Sequence, residues 1–122
     1  MVRVLVVDDF EEWRQMACAT ANAIPGLMVV AEAAGGAEAV QKAQELRPDL
    51  VLLDVSLPDL NGIEIARTLR TISPESKIVF LTENRCPEII EEAYRAGASA
   101  YVIKSSAAMH LGTAIKAALA KS

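Results

Sequence analysis

Cysteine is nearly absent from this chain: of 122 residues, only Cys18 and Cys86 are cysteine. Two thiols are too few for a disulfide framework, and both fall in stretches that read as helical or helix-leading, without metal-ligand spacing. They are expected to be packing residues of a reduced, cytoplasmic protein. Aromatic residues make up 4% of the chain, which argues against a base-stacking platform. A basic stripe is missing too. The 12 Lys and Arg residues are scattered among 16 Asp and Glu, for a formal net charge of -4 and a pI near 5.0. That balance argues against nucleic-acid binding by this segment itself. Long apolar runs are also lacking: VLVV after Arg3 stops at Asp8 and Asp9, far short of a secretory h-region or of the ~20 apolar residues a membrane span needs. Nothing in the sequence targets a membrane.

What is present is a regular alternation. A chain of this length fits one domain, 1–122, able to bury roughly two-thirds of the surface its unfolded form exposes. Five apolar runs of strand length stand out: VRVLVV (2–7), LMVVAEA (27–33), DLVLLD (49–54), KIVFLT (77–82) and SAYVIK (99–104). They are rich in Val, Ile and Leu without clean alternation, as strands covered on both faces should be. Between and after them the helical period appears. The stripes are Trp13, Met16, Thr20 and Ile24; Val40, Ala43 and Leu46; Ile65, Leu69 and Ile72; Ile90, Ala93 and Tyr94; and Leu111, Ile115 and Leu119. Pro25-Gly26, Gly35-Gly36, Pro48, Ser73-Pro74 and Gly97 punctuate the junctions, and Pro87 suits a first helical turn. The order βαβαβαβαβα predicts a single-domain, doubly wound α/β fold, (βα)5, with a parallel sheet and helices on both faces. In such folds ligands bind beyond the carboxyl ends of the strands.

Five polar residues converge on that edge. Asp8 and Asp9 follow the first strand, Asp54 ends the third, Thr82 the fourth and Lys104 the fifth. Three carboxylates raise one another's pKa and need countercharge; one lysine and one divalent cation would balance them. An oxygen-only donor set suits Mg²⁺, which prefers a site completed by waters and phosphate oxygens. An aspartate can also accept a phosphoryl group as an acyl phosphate, which makes Asp54 a candidate nucleophile. Taken singly, each residue has an ordinary explanation. Asp9, with Glu12 three residues on, could cap the first helix; Thr82 suits a strand; a lone lysine is usually solvated. Asp54 is harder to dismiss, because an unpaired carboxylate at the end of a buried strand is costly. His110 is expected at the surface.

Taken together, VVDD at 6–9, LLDVSLPDLNG at 52–62, FLT at 80–82 and YVIK at 101–104 resemble the receiver domain of bacterial two-component response regulators. The resemblance runs along essentially the whole chain. It implies a flavodoxin-like sheet of order 2-1-3-4-5. Asp54 matches the residue phosphorylated by a sensor histidine kinase or a small phosphodonor. Asp8, Asp9 and Asp54 match the Mg²⁺ ligands, with the Ser56 main-chain carbonyl as a further one. Lys104 matches the lysine that pairs with the phosphoryl group, Thr82 the switch hydroxyl and Tyr101 the aromatic that turns inward with it. Pro58 and Gly62 match the loop after the phospho-accepting strand. The face built from the fourth helix, fifth strand and fifth helix is then expected to change most, controlling an output domain or effector. The family's domains are not enzymes beyond their own phosphorylation and dephosphorylation.

Two residues depart from the family's habit. Ser105 stands where many receivers have a proline joined by a cis peptide; without proline a cis bond costs about 2.5–4 kcal/mol, so a trans bond and a different loop are expected. Glu83 follows the switch threonine where a small residue is common, and its charge should slow reaction with small anionic phosphodonors. The stretch YVIKSSAAMHLGTAIKAALAKS resembles receivers of LuxR-type transcription factors, which implies a C-terminal helix-turn-helix output domain absent from these residues and allows a homodimer. The alternatives are a receiver-like interaction module that is never phosphorylated, a flavodoxin-type FMN protein of the same sheet order, and a dehalogenase-like phosphatase. That last would need an aspartate where Ser56 stands.

Overall fold

In the computed structural model, which describes residues 1–121, five parallel strands form one sheet. They are β1 (Val2–Val7), β2 (Leu27–Ala33), β3 (Leu50–Leu53), β4 (Lys77–Thr82) and β5 (Ala100–Ile103), in the order β2-β1-β3-β4-β5. The helices are α1 (Glu11–Ala23), α2 (Gly36–Leu46), α3 (Gly62–Ile72), α4 (Pro87–Arg95) and α5 (Ala107–Ala120). This is the doubly wound flavodoxin-like fold expected from the alternation and the resemblance. Among the described residues, no helix is long and apolar enough to cross a membrane.

The strands lack hydropathy alternation because both faces are covered. Successive residues of β1 divide between two cores: Leu5 and Val7 pack with α2, α3 and α4, and Val4 and Val6 with α1 and α5. Val51 and Leu53 against Leu50 and Leu52, and Ile78 and Phe80 against Val79 and Leu81, repeat the division. Each large side chain fully buried this way contributes about 1.5–3 kcal/mol of apolar transfer. β1, β3 and β4 are therefore rigid platforms for whatever their carboxyl ends carry.

Three of the five expected strands have the observed bounds. The other two are narrower by one residue at each end: β3 excludes Asp49 and Asp54, and β5 excludes Ser99 and Lys104. The backbone still holds those flanks, since the Asp54 N–H donates to Val7 O at 3.1 Å and the Ser99 N–H to Ile78 O at 2.7 Å.

The helical stripes are met in α3 and α5 and altered elsewhere. In α1 the buried line is Ala17, Cys18 and Ala21, with Trp13, Met16 and Ile24 only partly covered. In α4 only Ala93 is buried, and Tyr94 is 49% exposed. Cys86 is a correction: it is exposed, at the N-cap position of α4, and packs in no core. Cys18 is buried as expected, and His110 lies on the exposed side of α5. Asp9 is not the cap of α1; that position is Phe10, and the Asp8 carboxylate accepts from its N–H.

Two loop features shape the edge where the site lies. The Asp59 carboxylate accepts from the Gly36 and Ala37 N–H groups at 2.8 and 3.0 Å. It thereby caps α2 from across the β3–α3 loop, where the N-cap Gly35 has no side chain to do so. Gly62 opens α3 so close to the preceding strand end that a Cβ there would lie 2.2 Å from Asp54 O and 2.6 Å from Val55 Cα.

Candidate functional site

Each acidic residue reaches the carboxyl edge of the sheet in its own way. Asp8 continues β1, its N–H donating to Ala33 O at 3.0 Å, and its carboxylate is buried. Its Oδ1 accepts from the Phe10 N–H at 2.9 Å, and its Oδ2 lies 2.9 Å from Lys104 Nζ. Asp54, also buried, accepts from the Ser56 N–H through Oδ1 at 3.1 Å and from Lys104 Nζ through Oδ2 at 3.0 Å. Asp9 is exposed beside them. One carboxylate oxygen from each of Asp8, Asp9 and Asp54 lies within 4.8 Å of the others.

Lys104 binds the cluster together. It leaves the end of β5 into a short 3-10 turn, Lys104–Ser106, and its side chain is buried between Asp8 and Asp54. Its ammonium also sits 5.3 Å from the Trp13 ring centre, a cation–π contact. Burial works to lower the lysine's pKa, but hydrogen bonds and charge from Asp8 and Asp54 outweigh it, so the ammonium is held above the ordinary lysine value. Asp8 shows the opposite balance. Burial pushes its carboxyl above the ordinary aspartate value, and the bonds from Phe10 and Lys104 only partly offset this. Three carboxylates and one ammonium leave an excess of two negative charges, on oxygen donors alone. That set fits a hard divalent cation such as Mg²⁺.

The remaining candidates frame the cluster. Thr82 is buried at the end of β4, and its Oγ1 accepts from the Asn84 N–H at 3.3 Å. Tyr101 is half-buried on β5, its ring 5.8 Å from that of Phe80. Its hydroxyl donates to Asn84 O at 2.8 Å, and burial pushes its pKa up to about 12. Ser56 sits two residues past Asp54 and is bridged to Asn61 across the loop. Glu83 and Ser105 are exposed and, with Trp13, Arg85 and Ile103, line a recess of about 360 Å³ beside the cluster. Arg85 Nη2 donates to Ser105 Oγ at 2.6 Å, tying the β4–α4 loop to the turn after β5. The Lys104–Ser105 peptide is trans, as expected without proline.

Sequence reasoning missed three contributors. Trp13 reads as a core residue, yet its ring faces Lys104. Asp59 and Arg14 act across 23 and 18 residues respectively, onto Gly36 and Glu32. No local pattern announces bonds of that range.

Residues 4–116 match the response regulator receiver domain family. The DNA-binding transcriptional activator DevR/DosR of Mycobacterium tuberculosis is 42% identical over 116 residues, 95% of this chain and 54% of that protein. The transcriptional regulatory protein LiaR of Bacillus subtilis is 36% identical over 118 residues, 97% of this chain and 56% of that protein. The chain thus spans about half the length of the curated relatives it matches. Among solved structures, a LuxR-family two-component response regulator from Aurantimonas superposes with a TM-score of 0.92 at 38% identity. The match covers 98% of this chain and 86% of that one.

Proposed function

This chain belongs to the response regulator receiver domain family, and on that premise we propose that it is the phospho-accepting switch of a two-component pathway. Asp54 accepts a phosphoryl group from a sensor histidine kinase in a Mg²⁺-dependent reaction. The observation that carries this reading is the buried Lys104 ammonium bridging Asp8 and Asp54, with the Asp9 carboxylate completing the cluster. Family membership displaces the flavin and dehalogenase alternatives, and the presence of all five key side chains favours phosphorylation over a purely constitutive docking module.

Asp8, Asp9 and Asp54, with the Ser56 carbonyl, would hold the Mg²⁺. When bound, the ion neutralises phosphoryl oxygens and orients them toward the acceptor. In the transfer, an Asp54 carboxylate oxygen forms a bond to phosphorus as the donor's phosphorus–nitrogen bond breaks, and the leaving imidazole takes up a proton. Lys104, 3.0 Å from Asp54 Oδ2, would stabilise the negative charge on the transferring group. Lys104 already touches Asp54, so little reorganisation is needed.

The phosphoryl group then presents new acceptor oxygens. Thr82 is in reach of a change, because its hydroxyl hydrogen is free to donate while Oγ1 merely accepts from Asn84. Movement of the β4–α4 loop with Thr82 would break the Tyr101–Asn84 bond and let the ring turn inward, altering the α4–β5–α5 face. Glu83 and Ser105 tune how fast this occurs. We place the protein in the cytoplasm, with no enzymatic activity beyond its own phosphorylation and dephosphorylation. The proposed output is transcriptional, through the helix-turn-helix domain that the LuxR-type resemblance implies, and the switched face is available to a homodimer or effector.

Incubation with Mg²⁺ and acetyl phosphate tests the central assignment. The wild type should gain a phosphoryl group, seen as a mass shift sensitive to alkaline hydroxylamine, and Asp54→Asn should not. Equal labelling of Asp54→Asn would remove Asp54 from the role.

A further inference from the structure

A second polar network adjoins the acidic cluster. Arg14, in the first turns of α1, donates from Nε to Glu32 Oε1 on β2 at 2.9 Å and from Nη1 to the main-chain oxygen of Asp8 at 3.0 Å. Its side chain is only 17% exposed, so the guanidinium is largely withdrawn from water and committed to these partners. Glu32 is itself anchored. Lys42 donates to its main-chain oxygen and pairs with Glu38 at 3.0 Å, and Glu38 accepts from the Ala34 N–H at 2.9 Å.

The consequence lies in which oxygen Arg14 holds. The Asp8 carbonyl belongs to the planar peptide unit that joins Asp8 to Asp9, so fixing its direction fixes how the chain enters Asp9. The Asp8 side chain is already secured by Phe10 and Lys104, and its N–H by Ala33. Asp9 is the one exposed carboxylate of the cluster, and Arg14 restrains the peptide that aims it.

We propose that Arg14 is a positioning residue for the Mg²⁺ site, acting with Glu32 to hold the Asp8–Asp9 peptide so that the Asp9 carboxylate faces the cluster. This rests on the reading of the cluster as a Mg²⁺ site. Arg14 acts through geometry and against its own charge. A nearby cation by itself repels Mg²⁺, so removing a guanidinium that acted only as a charge would tighten binding.

Titrating Mg²⁺ alone into the chain at constant ionic strength tests this, with affinity read by calorimetry. Fluorescence of Trp13, the single tryptophan, provides a second signal because its ring adjoins Lys104. Arg14→Gln should weaken Mg²⁺ binding on the order of tenfold or more, the effect of losing partners that orient metal ligands. Arg14→Lys, which cannot make both bonds from a rigid fork, and Glu32→Ala, which frees the guanidinium, should each weaken it by a smaller factor. Melting without Mg²⁺ reads the purely structural role. If Arg14→Gln fails to fold, the other two variants carry the comparison. Affinities within twofold of wild type, or tighter, would overturn the proposal whatever the change in melting temperature. A wild type that binds no Mg²⁺ by calorimetry would overturn the site assignment and this proposal together.

Discussion

Asp8 and Lys104 sit 2.9 Å apart, and both pKa values lie above their ordinary ones for different reasons: burial raises that of Asp8, whereas at Lys104 the bonds and charge of Asp8 and Asp54 outweigh burial. For Asp8 the folded value lies above the unfolded one, so the folded state holds the proton more tightly. Its contribution to stability is complete below the unfolded pKa and is lost as pH rises through the folded one, so at neutral pH the ionised carboxylate works against the fold. Asp8→Asn should therefore raise the melting temperature at pH 7 in the presence of EDTA, and remove most of the stabilisation that Mg²⁺ gives the wild type. A lower melting temperature in EDTA would show that the Lys104 pairing outweighs the burial cost. Glu83, also at this scale, places a carboxylate on the wall of the recess beside the cluster. Glu83→Ala should react with acetyl phosphate about threefold faster, equivalent to ~0.6 kcal/mol of relieved repulsion at an exposed position. A rate no faster than wild type would acquit Glu83.

At the scale of elements, the β3–α3 connection does the most with the least sequence. Asp54 leaves β3, Ser56 bridges to Asn61, Asp59 reaches back to cap α2, and Gly62 opens α3. The Asn61 side chain caps α3 by accepting from the Ile63 N–H at 2.7 Å. Gly62 is the pivot, since its Cα packs against the Asp54 carbonyl and the Gly62 N–H donates to Val55 O at 2.8 Å. A methyl group there meets backbone, which cannot swing aside as a side-chain tip could. Gly62→Ala should cost about 1–3 kcal/mol in urea unfolding and slow phosphorylation by displacing Asp54. An unchanged midpoint would mean the loop moves freely.

For the whole molecule, three groups share one direction of pH response. Burial pushes the Cys18 thiol up to about 11 and the Tyr101 hydroxyl up to about 12, and Asp8 and Asp54 hold Lys104 above its ordinary value. In each case the folded pKa exceeds the unfolded one, so stability is complete below the unfolded value and lost as pH rises through the folded value. The unfolding free energy should fall progressively from about pH 9 to pH 12. Cys18→Ala should flatten the first part of that decline, between about pH 9 and 11, in a series of urea titrations. A decline of the same slope in Cys18→Ala would assign the loss to Tyr101 and Lys104 alone.

Much of this was legible in the sequence. Strands β1, β2 and β4 have the bounds their apolar runs suggest, because strands covered on both faces favour apolar residues, although the edge strand β2 is only partly buried and carries Glu32. The convergence of Asp8, Asp9, Asp54, Thr82 and Lys104 on one edge follows from parallel pairing alone. Tertiary structure decided the rest. Tyr94 faces water and Cys86 stands exposed at the N-cap position of α4 without a side-chain capping hydrogen bond, although periodicity and propensity place both inside. The buried line of α1 fell on Ala17, Cys18 and Ala21 rather than on the larger Trp13 and Met16. The bonds from Arg14 to Glu32, from Asp59 to α2 and from Arg85 to Ser105 join segments far apart in the chain. A one-dimensional pattern records what each segment must bury, but not which distant polar group will meet it once the layers close.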